Sequence, residues 1–316
     1  MKQILHTTLR RTLREWKDRP AFFFPNPGNA GDNLITTGTL QIFKDSDLYP
    51  RHLEINLDRP VTLPDEPATL FYGGGGNFVP NYSHARLFFE RYHQTNHRLV
   101  LLPQTIRGNE DLLQQLGGNS HLFCRDQISY THARRHASGA NVYLDHDLAL
   151  ALRPDTTRWD FGLLSEPLST IRLALSYLTK LTTGLSIIKV ESHQIALQFL
   201  HEIHRTRRAR PNGATLNAFR TDSEANSSQL PDGNLDLSEI CNPHSDDPIL
   251  SKLAAVSMLT YVNQYTEIHT DRLHVAISGL LLGKKIRLFA NNYDKNQSVL
   301  EHSLASNGAI EWCGER

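Results

Sequence analysis

The sequence predicts an α/β fold built on parallel, doubly wound sheets. Short apolar segments alternate along the chain with amphipathic helical segments. Several of the apolar segments also run directly into glycine-rich or polar residues before the next helix begins. Since parallel strands must be joined by a crossover, usually a helix, this alternation is typical of a parallel sheet covered by helices.

The first half of the chain contains the clearest strands. A helix with Leu9, Leu13 and Trp16 on one face comes first, and predicted strands then begin near positions 21, 68, 98, 120 and 141. The first strand leads into a loop rich in glycine and asparagine, where Asp32 can cap the following helix. The second leads into four consecutive glycines at 73–76. Such a run is costly to order, which indicates that the backbone closely approaches a bound group.

A second alternation follows a charged, proline-containing stretch that begins at position 153. This stretch predicts a boundary between an N-terminal domain, residues 1–155, and a C-terminal domain, residues 156–316. Helices dominate to about position 210. Predicted strands then lie near 215–219, 234–237 and 266–270, a helix lies at 248–263, the last strand lies at 285–289, and residues 291–296 open a terminal helix.

One strand-helix-strand stretch in the second half carries the most reactive side chains. Thr270 or Asp271 caps the helix, and Gly283 ends it in a left-handed conformation. Arg272 and His274 then fall in the first turn, where unpaired N–H groups and the helix dipole favour an anion. The carboxyl end of a strand is also where open α/β sheets bind ligands. An isolated Asp-Arg-x-His motif is, however, equally compatible with an ordinary solvated helix start.

Composition argues against several classes of protein. The chain has 316 residues, with 33 Lys plus Arg and 33 Asp plus Glu, so no net field attracts nucleic acid or an acidic membrane. Three widely spaced cysteines support neither a disulfide framework nor a cysteine zinc site, and they favour a reducing, cytoplasmic compartment. We predict no secretory signal and no membrane span. A peripheral contact of the first helix with a membrane surface remains an alternative.

Histidine is the one residue type in excess, with 16 copies. Three pairs have the spacing of metal ligands on a helix, but none belongs to an HExxH motif, and the sequence does not locate a third ligand. We therefore predict no metal site. The pairs are His93 and His97, His132 and His136, and His201 and His204.

The motifs of several enzyme classes are missing. The sequence has no serine nucleophile elbow and no context for a catalytic cysteine. The glycine run at 73–76 fits neither the Walker loop nor a strict GxGxxG. Polar residues collect instead at strand ends, beside glycine loops and helix N termini, which favours a phosphorylated ligand.

Taken together, six short motifs between about positions 25 and 300 resemble the polysaccharide pyruvyl transferase family. Any one of them is weak, but the ordered set is specific. Residues 155–210 contribute no recognisable motif, so the resemblance does not identify the residues that bind the acceptor. The motifs are Gly-Asn-Ala-Gly-Asp at 28–32, Gly-Gly-Gly-Gly-Asn-Phe at 73–78, Pro-Gln at 103–104, Arg-Asp-x-x-Ser-Tyr at 125–130, Thr-Asp-Arg-Leu-His at 270–274 and Asn-Asn-Tyr-x-Lys-Asn at 291–296.

The resemblance implies two Rossmann-like domains arranged as in glycosyltransferases of the B class, with the active site in the interdomain cleft. It also implies a reaction without a cofactor. Phosphoenolpyruvate gives its enolpyruvyl carbons to two hydroxyls of one sugar in a surface polysaccharide or its precursor, forming a cyclic pyruvate ketal and releasing phosphate. The expected partners are phosphoenolpyruvate and a sugar acceptor, with a lipid-linked oligosaccharide as one option. Nucleic acid is not expected, and the oligomeric state is open.

The resemblance further implies roles for individual residues. In the family, the arginine and histidine of the Asp-Arg-Leu-His motif bind the donor and perform catalysis, so Arg272 and His274 are expected to do so here. Asp32 is expected to face the cleft as a further catalytic residue, although helix capping explains it equally well. Arg125 and Arg220 are candidates for the second anionic end of the donor. The remaining expected substrate-binding residues are Asn29, Gly75, Gly76, Asn77, Asp271, Asn292 and Lys295.

Two other functions stay open from the sequence. One is a nucleotide-sugar-dependent glycosyltransferase of the same architecture, which a nucleoside diphosphate would stabilise, whereas phosphoenolpyruvate would stabilise a pyruvyl transferase. The other is a non-catalytic protein that binds a sugar or a phosphate. The presence of both Arg272 and His274 argues against this second alternative.

Overall fold

The structure is a computed structural model that describes residues 6–53, 61, 63–153, 215–222, 225, 229–245, 247–291, 294–304 and 308–315. The helical region predicted between 155 and 210 lies outside these residues, and so does Asn292. Within them, helices alternate with the strands of two parallel sheets. The predicted α/β class with parallel sheets is therefore confirmed.

The first sheet contains seven parallel strands of the described residues. They are β1 (Ala21–Phe24), β2 (Arg51–His52), β3 (Thr69–Tyr72), β4 (Gly75–Phe78), β5 (Arg98–Ile106), β6 (Ser120–Cys124) and β7 (Asn141–Leu144). Their order is β2-β1-β3-β5-β6-β7, with β4 paired to β5. From β1 the chain moves to one side to form β2 and returns to the other side to form β3. The sheet therefore has a topological switch point between β1 and β3, where ligands bind in folds of this kind.

Both faces of the first sheet are buried. Along β5, Val100 and Leu102 belong to one apolar cluster, whereas Leu99 and Leu101 belong to another. All four are fully buried. Since successive side chains of a strand point to opposite faces, the two clusters lie on opposite sides of the sheet. This explains why the strands appear in the sequence as continuous apolar runs.

The helices of the first half connect these strands and cover their faces. Leu9 and Leu13, predicted to share a face of the first helix, are both buried. The helices are α1 (Thr7–Glu15), α2 (Ala30–Asp45), α3 (His84–Tyr92), α4 (Glu110–Leu113) and α5 (Gln127–His136), followed by a 3₁₀ helix (Leu148–Ala151).

The second sheet contains four parallel strands of the described residues, in the order β11-β10-β9-β8. The strands are β8 (Thr215–Asn217), β9 (Glu267–Thr270), β10 (Lys285–Phe289) and β11 (Ile310–Gly314). The accompanying helices are α6 (Leu237–Ile240), α7 (Pro248–Asn263), α8 (Leu273–Leu281) and α9 (Lys295–Val299), which continues into a π-helical turn (Leu300–Leu304).

Helix α8 ends as the sequence predicts. Gly283 has a φ of 69°, a left-handed conformation that glycine adopts without a steric penalty. Its N–H donates to the Leu280 carbonyl at 3.1 Å, and the N–H of Lys284 donates to the Gly279 carbonyl at 2.9 Å. These two bonds form a Schellman motif, so the predicted glycine terminator is confirmed.

One apolar core joins the two sheets. Helices α2 and α7 pack against each other, and the same buried cluster contains Phe71 of β3 and Ile268 of β9. At the contact between the helices, the Ser251 hydroxyl donates to Asn33 Oδ1 at 2.6 Å. The packing between α2 and α7 therefore fixes the carboxyl ends of one sheet relative to those of the other.

Several of the predicted elements differ from the structure. The glycine loop is partly a strand, because Gly75 and Phe78 pair with β5. The strand predicted at 234–237 is wrong, because α6 begins at the end of this segment. Its first residue, Asn234, accepts a hydrogen bond from the Phe219 N–H and donates one to the Phe219 carbonyl. The segment keeps one backbone hydrogen bond to β8, from the Leu235 N–H to the Asn217 carbonyl at 2.9 Å, and the Asn234 side chain supplies the others.

The strand at 285–289 is not the last one, because β11 follows it and pairs with it at the edge of the sheet. The predicted boundary at residue 155 falls between the two sheets. Since one core runs across both sheets, the division into two domains stays a prediction. Among the described residues, no helix is long and apolar enough to cross a bilayer.

The packing of α2 against the 3₁₀ helix generates a test of the fold. A Cβ at Gly38 would lie 2.0 Å from the Leu148 carbonyl oxygen. In Gly38→Ala, helix propensity contributes about 1 kcal/mol of stability, but overpacking of a core contact costs about 1–3 kcal/mol. Because the opposing atom belongs to the backbone and cannot rotate away, we expect a net loss in the free energy of unfolding, measured in urea.

Gly118→Ala is the matched control, since a Cβ there has nothing within 4 Å. It should change the free energy of unfolding by less than about 0.5 kcal/mol. If Gly38→Ala proved as stable as the unmodified protein, the close packing between α2 and the 3₁₀ helix would be wrong.

Candidate active site

A cavity of about 330 Å³ lies where the carboxyl ends of the two sheets meet. The first sheet contributes the loops that follow β1 and β3, on either side of its topological switch point. The second sheet contributes residues that follow β8, β9 and β10. The lining residues are Asn26, Pro27, Gly28, Asn29, Asp32, Gly76, Asn77, Tyr82, His84, Arg220, Asp222, Ser238, Arg272, Leu273, His274, Lys295 and Asn296.

The N terminus of α2 forms one wall of the cavity. Asn29 is the N-cap, and its Oδ1 accepts a hydrogen bond from the Gly31 N–H at 2.8 Å. In return, Asp32 Oδ2 accepts from the Asn29 N–H at 3.1 Å, which completes a capping box. The prediction that Asp32 precedes a helix beginning near position 33 is therefore wrong, because the helix begins at Ala30. Asp32 nevertheless lines the cavity, so it takes part in the capping box and in the cavity wall.

The glycine loop after β3 rests on a network of polar side chains. Gly75 has a φ of 139°, which side chains other than glycine rarely adopt. Under the loop, the Tyr72 hydroxyl donates to Asn26 Oδ1 at 3.0 Å and accepts from Asn77 Nδ2 at 2.9 Å. Gln104 Nε2 donates to Asn77 Oδ1 at 3.2 Å. The amide of Asn77 is therefore held in one orientation at the cavity wall.

The Arg125 guanidinium lies beneath this loop and is fully buried. Its Nη1 donates to Asp147 Oδ2 at 2.6 Å and its Nε to Thr105 Oγ1 at 2.9 Å. Its Nη2 has no hydrogen-bond partner among the described residues. A Cβ at Gly76 would lie 3.0 Å from this Nη2 and 3.2 Å from Lys295 Nζ. An unsatisfied donor of a buried cation therefore lies at the glycine wall of the cavity.

Arg125 does not pair with Asp126, its neighbour in the sequence. The carboxylate partner of Arg125 is Asp147. Asp126 instead caps α5 by accepting from the Ser129 N–H at 2.8 Å, and it pairs with Arg107 at 3.3 Å.

His274 lies in the first turn of α8, and Asp147 holds its ring. Its Nε2 is 3.4 Å from Asp147 Oδ2, a long hydrogen bond, and the other oxygen of Asp147 accepts from the Ala149 N–H at 2.9 Å. Burial favours the neutral form of Asp147, but the charges and hydrogen bonds of His274 and Arg125 outweigh it and hold the pKa of this carboxyl well below its usual range. An ionised carboxylate can only accept, so Nε2 of His274 carries a proton and Nδ1 is left to exchange one.

The other ring nitrogen of His274 faces the start of α2. A Cβ at Gly31 would lie 2.4 Å from His274 Nδ1. The absence of a side chain at this position therefore lets the imidazole of α8 approach the first turn of α2. Burial raises the pKa of the nearby Asp32 carboxyl, against the opposing positive charges of His274 and Lys295. A carboxylate with a raised pKa is a stronger proton acceptor than an ordinary aspartate.

Arg272 is the N-cap residue of α8, so the predicted cap at Thr270 or Asp271 is wrong and the helix begins one or two positions later than predicted. Thr270 supports this start, because its Oγ1 accepts from the Arg272 N–H at 2.9 Å. The Arg272 guanidinium is buried and contacts carboxylates on two sides. It makes a two-point contact with Asp236, and its Nη1 lies 2.8 Å from Asp222 Oδ2. Its planar fork is thus fixed before any ligand arrives.

Arg220 shares one of these carboxylates. Its Nε donates to Asp222 Oδ1 at 2.7 Å, so the Asp222 carboxylate lies between the guanidinium groups of Arg220 and Arg272. The side chain of Asp222 is 34% exposed. Asp271, predicted to bind substrate, is not among the residues that line the cavity. It accepts from the Arg220 N–H at 2.8 Å, and burial raises its pKa, so it shapes the end of the strand instead.

The segment after β10 supplies the last cation. Lys295, the first residue of α9, lines the cavity beside Asn296, whose Nδ2 donates to the Asp271 carbonyl at 2.6 Å. The structure thus gathers most of the predicted residues around one cavity, with Arg125 directly behind its wall. The exceptions are Gly75 and Asp271, which are not among the lining residues, and Asn292, which lies outside the described residues.

Sequence reasoning missed three carboxylates that organise the site. Asp147 follows a predicted strand end, so the rule that ligands bind at such ends could have identified it. Asp222 and Asp236 lie in irregular segments without a motif, and no local pattern marks them. Tyr82 and His84, which also line the cavity, were likewise not predicted.

Comparisons with known proteins identify the family of the chain. A family model for polysaccharide pyruvyl transferases matches residues 29–293. The chain is also similar in structure to an uncharacterised protein of Klebsiella pneumoniae subsp. pneumoniae NTUH-K2044, with a TM-score of 0.68, 24% identity and 97% coverage of both chains. At this identity the likeness supports the fold alone. No functionally curated protein matches the chain. Because the family model extends over most of the sequence and confirms the family that the motifs resemble, the chain belongs to the polysaccharide pyruvyl transferase family.

Proposed function

We propose that the protein transfers the enolpyruvyl group of phosphoenolpyruvate to two hydroxyls of a sugar in a surface polysaccharide or its precursor. A cyclic pyruvate ketal forms and phosphate is released. The observation that carries this proposal is a single cavity that combines His274, backed by a buried carboxylate, with cationic side chains from the second sheet and α9. Family membership supports pyruvyl transfer. The two parallel sheets around the cavity support a glycosyltransferase-B-like arrangement with the site between two domains.

The donor carries two anionic groups, a carboxylate and a phosphate, and the cavity offers cations in two places. On the glycine side, Arg125 Nη2 and Lys295 Nζ both lie close to Gly76. On the side of the second sheet, Arg220 and Arg272 line the wall. Guanidinium groups bind carboxylate and phosphate with two parallel hydrogen bonds. We assign one anionic end of the donor to each place.

Asp222 explains how a ligand can reach arginines that already have partners. Its carboxylate lies between Arg220 and Arg272 and is partly exposed to the cavity. An anionic group of the donor can replace it there without leaving either arginine unpaired. Arg272 stays held by Asp236 throughout, so its guanidinium is preorganised for the exchange.

The proton transfers follow from the placement of His274 and Asp32. In the first stage, the protonated His274 gives its Nδ1 proton to the methylene carbon of the donor, which becomes a methyl group. The first sugar hydroxyl bonds to the neighbouring carbon through its oxygen and gives its proton to Asp32. In the second stage, the bond between that carbon and the phosphate oxygen breaks, the second hydroxyl takes its place, and its proton leaves with phosphate. No electrons are gained or lost, so the proposal needs no redox cofactor.

The acceptor belongs on the side of the first sheet in this proposal. Asp32 and Asn29 lie at the N terminus of α2, and Asn77 is held by Tyr72 and Gln104 across the same wall. Carboxylate, amide and backbone groups of this kind suit the hydroxyls of a sugar. A lipid-linked acceptor and a cytoplasmic location stay predictions from the sequence.

A ligand-binding experiment tests the proposal. We expect phosphoenolpyruvate to raise the melting temperature, since a ligand at about 100 times its Kd stabilises a protein by about 2.7 kcal/mol. A nucleoside diphosphate should leave it unchanged, and the opposite pattern would favour a nucleotide-sugar glycosyltransferase.

Phosphate release from phosphoenolpyruvate with a panel of sugars should accompany binding. His274→Ala should still be stabilised by phosphoenolpyruvate but should release no phosphate. Binding without release by the unmodified protein across the panel would favour a non-catalytic binding protein.

Asp147→Asn tests the role of the buried carboxylate. Arg125 and His274 both contact Oδ2 of Asp147, so the asparagine amide either keeps an oxygen at this position as a neutral acceptor or places its NH2 there, where it opposes Arg125 and stabilises the wrong tautomer of the ring. Either orientation removes the negative charge that favours the protonated imidazole. We expect kcat to fall at least about 10²-fold, as when general acid–base catalysis is lost, while the KM for phosphoenolpyruvate changes little. The pH dependence of kcat should also move. A variant with unchanged kcat and pH profile would show that Asp147 does not orient His274.

A further inference from the structure

Two histidines that have no role in the proposed function lie next to a glutamate on two helices beside the first sheet. His132 and His136 are one turn apart on α5, and the centroids of their rings are 4.8 Å apart. Glu110, the first residue of α4, brings its Oε1 to 3.7 Å from His132 Nε2. One ligand atom from each of the three residues lies within 4.8 Å of the other two. The fold thus supplies the third ligand that the spacing of the histidine pair could not locate.

We propose that Glu110, His132 and His136 form a surface site for a zinc-like transition-metal ion, separate from the cavity described above. Two imidazoles and one carboxylate are a donor set that suits zinc, and three protein ligands leave a fourth position for water. Imidazole nitrogen suits zinc, copper and nickel far better than magnesium or calcium, which prefer oxygen. The site would therefore select its ion by ligand type.

The present spacing needs only a small adjustment to hold an ion. Bonds of about 2.0–2.2 Å in a tetrahedral site bring neighbouring ligand atoms to about 3.3–3.5 Å from one another. The ligand atoms must therefore approach one another by at most about 1.5 Å, which side-chain rotation can provide. The carboxylate of Glu110 is about half exposed and free to rotate, while the two histidines keep one face of a helix.

A second contact of His132 fits a ligand role. Its Nε2 lies 2.9 Å from the Gly108 carbonyl oxygen. Histidines that bind metals commonly donate their other ring N–H to a backbone carbonyl, which fixes the tautomer and the orientation of the ring. When Nε2 donates to Gly108, the ion binds Nδ1 of His132, and the exposed carboxylate of Glu110, whose Oε1 now lies 3.7 Å from Nε2, must turn toward Nδ1. The geometry therefore holds the ring before the ion binds.

The site is open to solvent and links two helices. His132 and His136 also line a surface hollow with Ile128 and Arg135 beside them, so an ion can enter without a change in the fold. The positive charge of Arg135 weakens binding of a cation, so we expect lower affinity than in a buried four-ligand site. A bound ion would connect α4 to α5, the helix that follows Arg125, and would stabilise this edge of the first sheet.

Metal titration of the untagged protein tests this proposal. We expect isothermal titration calorimetry to show one Zn²⁺ bound per chain, and Co²⁺ to give the visible absorption bands of a site with nitrogen ligands. Mg²⁺ should give neither signal. Glu110→Gln and His136→Asn should each weaken Zn²⁺ binding at least about tenfold, since even the loss of an outer-shell partner costs about 10–100-fold. Zn²⁺ should raise the melting temperature of the unmodified protein but not that of the variants.

His244→Asn is the matched control. His244 is exposed and has a φ of 51°, a conformation that asparagine also tolerates. This variant should bind Zn²⁺ like the unmodified protein. Equal Zn²⁺ affinity in the unmodified protein, Glu110→Gln and His136→Asn would show that the ion binds elsewhere, and the absence of any Zn²⁺ signal would overturn the site altogether. The exposed position of Glu110 means that Glu110→Gln should fold normally, so a loss of binding in that variant reports on the site itself.

Discussion

The candidate active site depends on the two contacts that the Asp147 carboxylate makes. This carboxylate is fully buried, and it contacts Arg125 from the end of β6 and His274 from the start of α8. A carboxylate in such a position is stable only because it is paired, since removing one partner of a buried ion pair costs about 3–5 kcal/mol. The same carboxylate therefore fixes an arginine under the glycine loop and His274, the proposed catalytic histidine, of the other half of the chain.

This contact depends in turn on how the two sheets meet. Helices α2 and α7 share one apolar core, and Asn33 is hydrogen-bonded to Ser251 across it. Two glycines allow the close approach, because a Cβ at Gly38 would strike the 3₁₀ helix and one at Gly31 would strike the His274 ring. The carboxyl ends of both sheets consequently face one cavity. The close packing at these two glycines therefore determines which charged side chains meet in the cavity.

The charged residues of the cavity are arranged so that an anionic ligand can replace a carboxylate of the protein. Asp236 fixes the Arg272 guanidinium, and Asp222 occupies the space between Arg272 and Arg220, where the proposed donor would replace it. An arginine that must be ordered during binding loses side-chain entropy, whereas one already held by a buried carboxylate loses little. The proposed donor site therefore exchanges a carboxylate of the protein for an anionic group of the donor.

Local patterns in the sequence predicted the parts of the fold that depend on local physics. The alternation of apolar strands with helices, the glycine terminator at position 283 and the bounds of α7 are all confirmed, because each is set by periodicity or backbone conformation. The partners of the charged residues could not be predicted in this way. Asp147, Asp236 and Glu110 meet their partners only through long-range packing, and no spacing along the chain encodes those contacts.

A crystal structure of the protein with phosphoenolpyruvate bound is the most direct test of the central claim. The account predicts that the methylene carbon of the donor lies within about 3–3.5 Å of His274 Nδ1, the range of a reactive geometry. It also predicts that Asp147 remains on Nε2 and that the two anionic ends of the donor lie between the glycine loop and Arg272. A donor bound outside this cavity, or a His274 ring turned away from Asp147, would contradict the account.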